Sequence, residues 1–256
     1  MKLVDTHCHL DFPAFDEDRV EVLKACREQG IEQVIIPAVA RSNWSAVLEI
    51  CGQEAGLFPT LGLHPAFTKQ HQDSDLVELE KLLFTHREQL VAVGEIGLDF
   101  YIQEPDKEKQ SALFEAQLQL ALQADLPVIL HVRKAHDQVL EFLKRVGVKG
   151  GTAHAFNGSL QQAKKYIELG FKLGFGGTLT YENAHKIHSL ARHLPLDSIV
   201  LETDAPDMVV ASHKGQRNSP AYLPEILQAL ADLRSETIQQ LAEQTTANAH
   251  AVFSLA

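Results

Sequence analysis

The stretch Leu3-Val4-Asp5-Thr6-His7-Cys8-His9 carries the first decisive pattern of the chain. It opens on aliphatic residues, reads as a strand, and sets two histidines two positions apart. Side chains at i and i+2 of a strand share a face. His7 and His9 can therefore reach one metal ion, while Cys8 points the opposite way and serves packing.

Working outward, the pattern repeats. Strand-like runs are predicted at 31–39, 57–65, 90–98, 126–132, 150–156, 171–177 and 197–204. Segments with helical spacing separate them, at 17–29, 43–55, 74–88, 106–124, up to about 145, 159–169 and up to about 193. Gly30, Gly56 and Gly170 stand where three of these helices should stop. Two further helices, 222–233 and 235–249, close the chain. Eight strands alternating with helices call for a parallel sheet. A doubly wound open sheet is the rival, but no glycine-rich nucleotide loop accompanies the strands. The reading is therefore α/β, a (β/α)8 TIM-type barrel, as a single domain over residues 1–256.

Composition narrows the class. The chain has 256 residues, the size such a barrel needs. No apolar run reaches the ~18 residues of a membrane span, and the polar N-terminal residues do not read as a signal peptide. Cys8, Cys26 and Cys51 form neither a disulfide framework nor a zinc ribbon. These features predict a cytoplasmic protein with no membrane association and no obligate protein partner. The formal net charge of -11 argues against a general nucleic-acid-binding module. It leaves open an enzyme whose metal ions supply the charge that meets a phosphate.

Further candidate ligands fall at the C-terminal ends of predicted strands: Glu95, His131, His154 and Asp204. Active sites of such barrels lie at that end. Each has an ordinary structural reading: a hydrogen-bonded core histidine, a buried ion pair, a helix cap. All of them at one end of one barrel point to a metal centre. Four histidines and two carboxylates without thiolate suit zinc or manganese, while magnesium prefers more oxygen. Six protein ligands exceed one tetrahedral catalytic site. Two divalent ions are therefore expected, bridged by a carboxylate and about 3.5–4 Å apart.

His64, before Pro65, points to the same end and is a candidate substrate contact or a structural imidazole. Arg133, two residues after His131, is placed to clamp a phosphate or to pair with Asp99. Asp99 is expected to stand behind the ligands. The remaining histidines, 71, 86, 136, 185, 188, 193, 213 and 250, are assigned to the surface. The segment 205–221 is the longest irregular stretch and should lie over the active face.

Seven ordered motifs then identify a resemblance: DTHCHLD (5–11), GLHP (62–65), GEIGLDF (94–100), HVRKA (131–135), HAFNGS (154–159), ETDAP (202–206) and RNSP (217–220). The sequence resembles the TatD family of metal-dependent deoxyribonucleases, within the amidohydrolase superfamily, from residue 3 to about 250. The resemblance implies a barrel with a binuclear centre. His7, His9, His131 and His154 match the family's histidine ligands, Glu95 its bridging carboxylate, and Asp204 the ETDAP aspartate. The strand-4 lysine of many amidohydrolases is absent, and Glu95 takes its place. HAFNGS carries Ala155 and Asn157 where HCFTGS is common, and GFGGT (174–178) replaces a serine-containing segment. These departures lie near the substrate.

The implied function is hydrolysis of DNA phosphodiester bonds, in the manner of a 3′-5′ exonuclease, with Asp204 as general base and Glu95 in the catalytic centre. The alternatives on the same site are a small-molecule phosphoesterase, a lactonase and an amidohydrolase. A non-catalytic metal-binding protein would be signalled by loss of Asp204 or Glu95, and both are present.

Overall fold

Each aliphatic run named above forms a strand, and each strand feeds a helix that returns along its outer side. The computed structural model describes residues 1–255. The strands are β1 (Leu3–Asp5), β2 (Ile31–Pro37), β3 (Leu57–Leu61), β4 (Ala92–Asp99), β5 (Val128–Arg133), β6 (Gly151–Ala153), β7 (Phe171–Phe175) and β8 (Ile199–Leu201). The intervening helices are α1 (Arg19–Glu28), α2 (Arg41–Gln53), α3 (Asp73–Thr85), α4 (Lys107–Gln123), α5 (His136–Val146), α6 (Leu160–Glu168) and α7 (His185–His193). Two more, α8 (Leu223–Ala231) and α9 (Ile238–Phe253), follow β8.

The sheet runs β1 to β8 in sequence order, and every pairing is parallel. Past β8 the ring is nearly closed by the chain just beyond β1: the Thr6 amide and hydroxyl both donate to the Leu201 carbonyl, at 3.0 Å each. Asp204 N–H then donates to the His7 carbonyl at 2.8 Å, and His9 N–H to Ala205 at 2.8 Å. The protein is a (β/α)8 TIM barrel.

Two apolar layers hold it. Val4, Ile35, Ala92, Ile129 and Val200, one from each of five strands, meet in one cluster with Phe253 and Leu255. Five strands can share a cluster only inside the lumen, so the C-terminal segment seals one end of the barrel. The larger cluster lies between the strands and the helix ring and includes Phe114, Leu130, Tyr166 and Leu227. Because both faces of the sheet are covered, β4 is buried at every position. Gly30 ends the loop after α1 at φ 82°, where a Cβ would strike the Met1 carbonyl.

The strands are shorter than the aliphatic runs suggest. β1, β6 and β8 each close after three residues, so His7, His9, His154 and Asp204 lie just beyond strand ends. Just past β6 and β8, Ala155 and Asp204 adopt φ of 43° and 56°, a conformation foreign to a strand. The backbone there still bridges its neighbours: Cys8 N–H to Ile35 at 3.1 Å, and His154 N–H to Leu130 at 3.0 Å. Segment 205–221 carries two short 3-10 turns, Ala211–His213 and Pro220–Tyr222.

Candidate metal centre

All eight predicted site residues converge at the C-terminal end of the strands. Glu95 is at their middle. The β4–β5 register shifts between Val93 and Ile96, and such irregularities re-aim a side chain. The Glu95 side chain is buried, and its two oxygens face different groups. Oε2 lies 3.2 Å from His7 Nε2 and 3.6 Å from His9 Nε2. Oε1 lies 3.0 Å from His131 Nδ1 and 3.1 Å from His154 Nε2. Asp204 Oδ1 completes the first group, 3.5 Å from His7 Nε2 and 3.6 Å from His9 Nε2. His7 and His9 nitrogens are themselves 3.3 Å apart.

These spacings fit a cation. Four ligands at about 2.0–2.1 Å from a tetrahedral zinc stand roughly 3.3–3.4 Å from one another. His7, His9 and Glu95 form one group able to hold an ion. The histidine tautomers can be read from their other partners. His9 Nδ1 lies 3.1 Å from the Pro37 carbonyl, which can only accept, so Nε2 carries the lone pair. His131 Nε2 faces Asp99 Oδ2 at 2.9 Å, which leaves the Nδ1 lone pair toward Glu95. A lone pair and a carboxylate oxygen at 3.0 Å need positive charge between them, a proton or a metal ion. His64 differs. Its Nδ1 accepts the Ala66 amide at 3.1 Å, so in the neutral ring Nε2 holds the proton and donates to Glu95 Oε1 at 3.2 Å.

Electrostatics follows from burial and this crowding. Burial lowers His7 to about 4 and His9 to about 3, so both are neutral donors near pH 7. Burial opposes ionisation of Glu95, but the surrounding histidines outweigh it and hold the carboxyl well below its ordinary range. Burial also opposes charge on His154 and His131. Facing carboxylates overcome it and raise both, Glu95 first for His154 and Asp99 first for His131. Asp204 is pushed up to about 7, chiefly by burial, with His154 opposing and Glu95 adding to the rise.

The group opens into a cavity of about 500 Å³. Apolar walls come from Phe12, Phe67, Phe156, Phe175 and Met208, and Arg133 stands among the polar lining residues. Arg133 is half-exposed. Its guanidinium lies 4.5 Å over the Tyr101 ring, and its Nη1 is 3.5 Å from Asp99 Oδ2. The ion pair with Asp99 and a position at the cavity mouth are therefore compatible. The loop after β8 contributes Asp207 and Met208 to the rim, as expected of the segment over this face.

His71 corrects the surface assignment of the remaining histidines. It is 5% exposed, and its Nε2 donates to the His64 carbonyl at 2.9 Å. The 3-10 turn Pro65–Phe67 reverses the chain and brings residue 71 back beneath His64. Three structural contributors had no assigned role. Glu202 is buried, accepts the Ala155 amide at 2.5 Å and stands 3.6 Å from His154 Nδ1. Asn218, fully buried, donates to the carbonyls of Thr203 at 2.8 Å and Asp207 at 2.7 Å, tying RNSP to ETDAP. Asp5 accepts from the Thr203 amide at 3.0 Å and joins β1 to the same loop. The available signal for Glu202 and Asn218 was their membership in the two motifs.

No helix among the described residues is long and apolar enough to cross a membrane. Comparison with known proteins gives the family and the fold. The profile of the family described as TatD related DNase matches residues 4–254. The chain is 40% identical over 255 residues to YjjV of Escherichia coli (strain K12), an uncharacterized metal-dependent hydrolase, covering 99% of this chain and 98% of that one. It is 32% identical over 261 residues to the 3′-5′ ssDNA/RNA exonuclease TatD of Erwinia amylovora, covering 99% and 100%. The crystal structure of the Escherichia coli K12 TatD homolog YJJV superposes with a TM-score of 0.96 at 40% identity, over 99% of this chain and 98% of that one. A TatD family hydrolase from Entamoeba histolytica, at 21% identity, shares the fold with a TM-score of 0.86. The chain belongs to the TatD-related family of metal-dependent hydrolases.

Proposed function

We propose that this protein is a binuclear metal-dependent phosphodiesterase that removes nucleotides from DNA, with single-stranded 3′ ends as the substrate. The observation that carries the reading is the division of Glu95, whose Oε2 faces His7 and His9 while Oε1 faces His131 and His154. In this reading His7, His9 and Asp204 would hold one ion, His131 and His154 would hold the other, and Glu95 would contribute an oxygen to each. The ions are zinc, manganese or magnesium; the nitrogen-rich donor set favours the first two. Bound there, they supply positive charge that polarises a phosphoryl group and acidifies a water.

The remaining chemistry belongs to the chain. Asp204 orients the attacking water and takes its proton. His64, with its proton on Nε2, donates to a substrate oxygen beside Glu95 rather than ligating. Arg133 meets a non-bridging phosphate oxygen at the mouth. Asp99 fixes the His131 ring by accepting its Nε2–H. The apolar cavity walls exclude bulk water and offer faces against which a base can rest. The exonuclease name of the Erwinia relative supports the choice of nucleic acid.

A second reading is a small-molecule phosphoesterase, lactonase or amidohydrolase on the same centre. The observation favouring it is that, among the described residues, Arg133 is the single lysine or arginine in the cavity lining of a chain with net charge -11. Parallel assays on the metal-loaded protein separate the two. Shortening of a 5′-labelled single-stranded oligonucleotide from its 3′ end is expected. Turnover of a nitrophenyl phosphate or a lactone with no oligonucleotide cleavage would replace the nuclease reading by the second.

A further inference from the structure

Five buried side-chain polar atoms lack a hydrogen-bond partner among the described residues, and three of them, His7 Nδ1, His154 Nδ1 and Glu202 Oε2, belong to residues that cluster together. Unpartnered buried polar atoms are costly, so a cluster of complementary ones points to a shared task. His7 and His154 stack with ring centroids 4.1 Å apart and planes 16° apart. Each directs Nε2 at a different oxygen of Glu95. A ring nitrogen of each and an oxygen of Glu202 lie within 4.8 Å of one another, and His154 Nδ1 is 3.6 Å from Glu202 Oε1.

We propose that Glu202 is a positioning residue, whose carboxylate accepts the Nδ1–H of both His7 and His154 and so turns the two Nε2 lone pairs toward the metal positions on either side of Glu95. This rests on the binuclear reading above. A neutral imidazole with its proton on Nδ1 has its lone pair on Nε2, and a carboxylate behind the ring raises its strength as a ligand. Among the histidines assigned to the metals, His9 has the Pro37 carbonyl for this purpose and His131 has Asp99. His7 and His154 have no other acceptor at Nδ1. The His154 separation of 3.6 Å closes to a hydrogen bond with a side-chain adjustment of about half an ångström, whereas His7, within 4.8 Å of the carboxylate, is reached only by a larger turn of the Glu202 side chain.

The surroundings hold the carboxylate for this role. Glu202 follows β8, and its Oε1 is anchored by the Ala155 amide at 2.5 Å. Its Oε2 lies over Gly174 of β7, where a Cβ would come within 2.1 Å of that oxygen and 2.6 Å of the carboxyl carbon. Glycine at 174 is therefore a requirement of the Glu202 position. Because one carboxylate serves a ligand on each side of Glu95, its loss should weaken both sites together.

The test uses zinc alone as probe. Zinc stoichiometry and affinity are measured for the full chain, Glu202→Gln and Gly174→Ala, with thermal melts to confirm folding. Nitrogen-15 spectra of the zinc-loaded wild type report the tautomers of His7 and His154. The expected results are protons on Nδ1 of both rings in the wild type, and a fall of about 10–100-fold in affinity at both sites in both variants. The tautomer reading needs no variant, so misfolding cannot shield the proposal. Protons on Nε2 of either ring would overturn it, as would Glu202→Gln affinities within about twofold of wild type. Loss of one complete zinc with both tautomers intact would make Glu202 a ligand instead. Three zinc equivalents in the wild type falling to two in Glu202→Gln would make the cluster a third metal site. Wild type that takes up no zinc would overturn the binuclear reading itself; wild type that binds zinc beside an unaltered Glu202→Gln would overturn the positioning role alone.

Discussion

Asp99 Oδ2 lies 2.9 Å from His131 Nε2, on the side of the ring opposite Glu95. This contact fixes which nitrogen of His131 is free for a metal. Asp99→Ala should therefore lower metal affinity about 10–100-fold without removing a ligand. Isothermal titration of the metal-stripped variant checks it. An affinity equal to wild type would leave Asp99 as no more than the partner of Arg133.

Arg133→Ala tests the phosphate clamp. Because the side chain is half-exposed, the lower end of the range for a hydrogen bond to a charged group applies, about 1.5 kcal/mol or tenfold. KM for phosphate substrates should rise by that factor while metal content stays unchanged. Kinetics identical to wild type on every phosphate substrate would assign Arg133 to its contacts with Asp99 and Tyr101 alone.

Asp204→Asn keeps the size of the side chain and removes its charge and its proton acceptor. Turnover at saturating metal should fall at least ~100-fold. The fold should survive, since the barrel is packed by residues such as Ile129 and Val200 rather than by Asp204. A denaturant melt run beside the rate assay separates the two effects. Near wild-type turnover would remove Asp204 from the chemistry.

His71 gives a pH signature unconnected with catalysis. Burial lowers its pKa below 6.5 despite the bond to the His64 carbonyl. The unfolded chain thus takes up the proton first as pH falls. The stability this group provides is complete above about pH 6.5 and is lost as pH drops toward the folded-state value, at up to about 1.4 kcal/mol per pH unit. Urea midpoints at pH 7.5 and 5.5 should differ more for wild type than for His71→Gln. Equal differences would show that His71 titrates alike in both states.

The eight strands, their order and the placement of the six candidate ligands were legible because each rests on local pattern. Aliphatic runs mark strands, and the spacing of His7 and His9 survives even though β1 ends at Asp5. Strand ends were overestimated because the ligand-bearing residues after β1, β6 and β8 leave the ladder, at Ala155 and Asp204 with positive φ, which side-chain chemistry does not announce. His71 sits in a polar stretch that reads as exposed, and only the turn after His64 buries it. Glu202 and Asn218 act through contacts across β7 and the 205–221 segment, from Gly174 to Thr203 and Asp207, which no local periodicity encodes.

The central claim is that Glu95 divides a two-metal hydrolytic centre. The most direct measurement strips the protein of metal and titrates zinc or manganese back while cleavage of a single-stranded oligonucleotide is followed. The account predicts no activity in the stripped protein and recovery that is complete only at two equivalents per chain, with Glu95→Gln failing to recover. Full activity in excess chelator, or full recovery at a single equivalent, would contradict it.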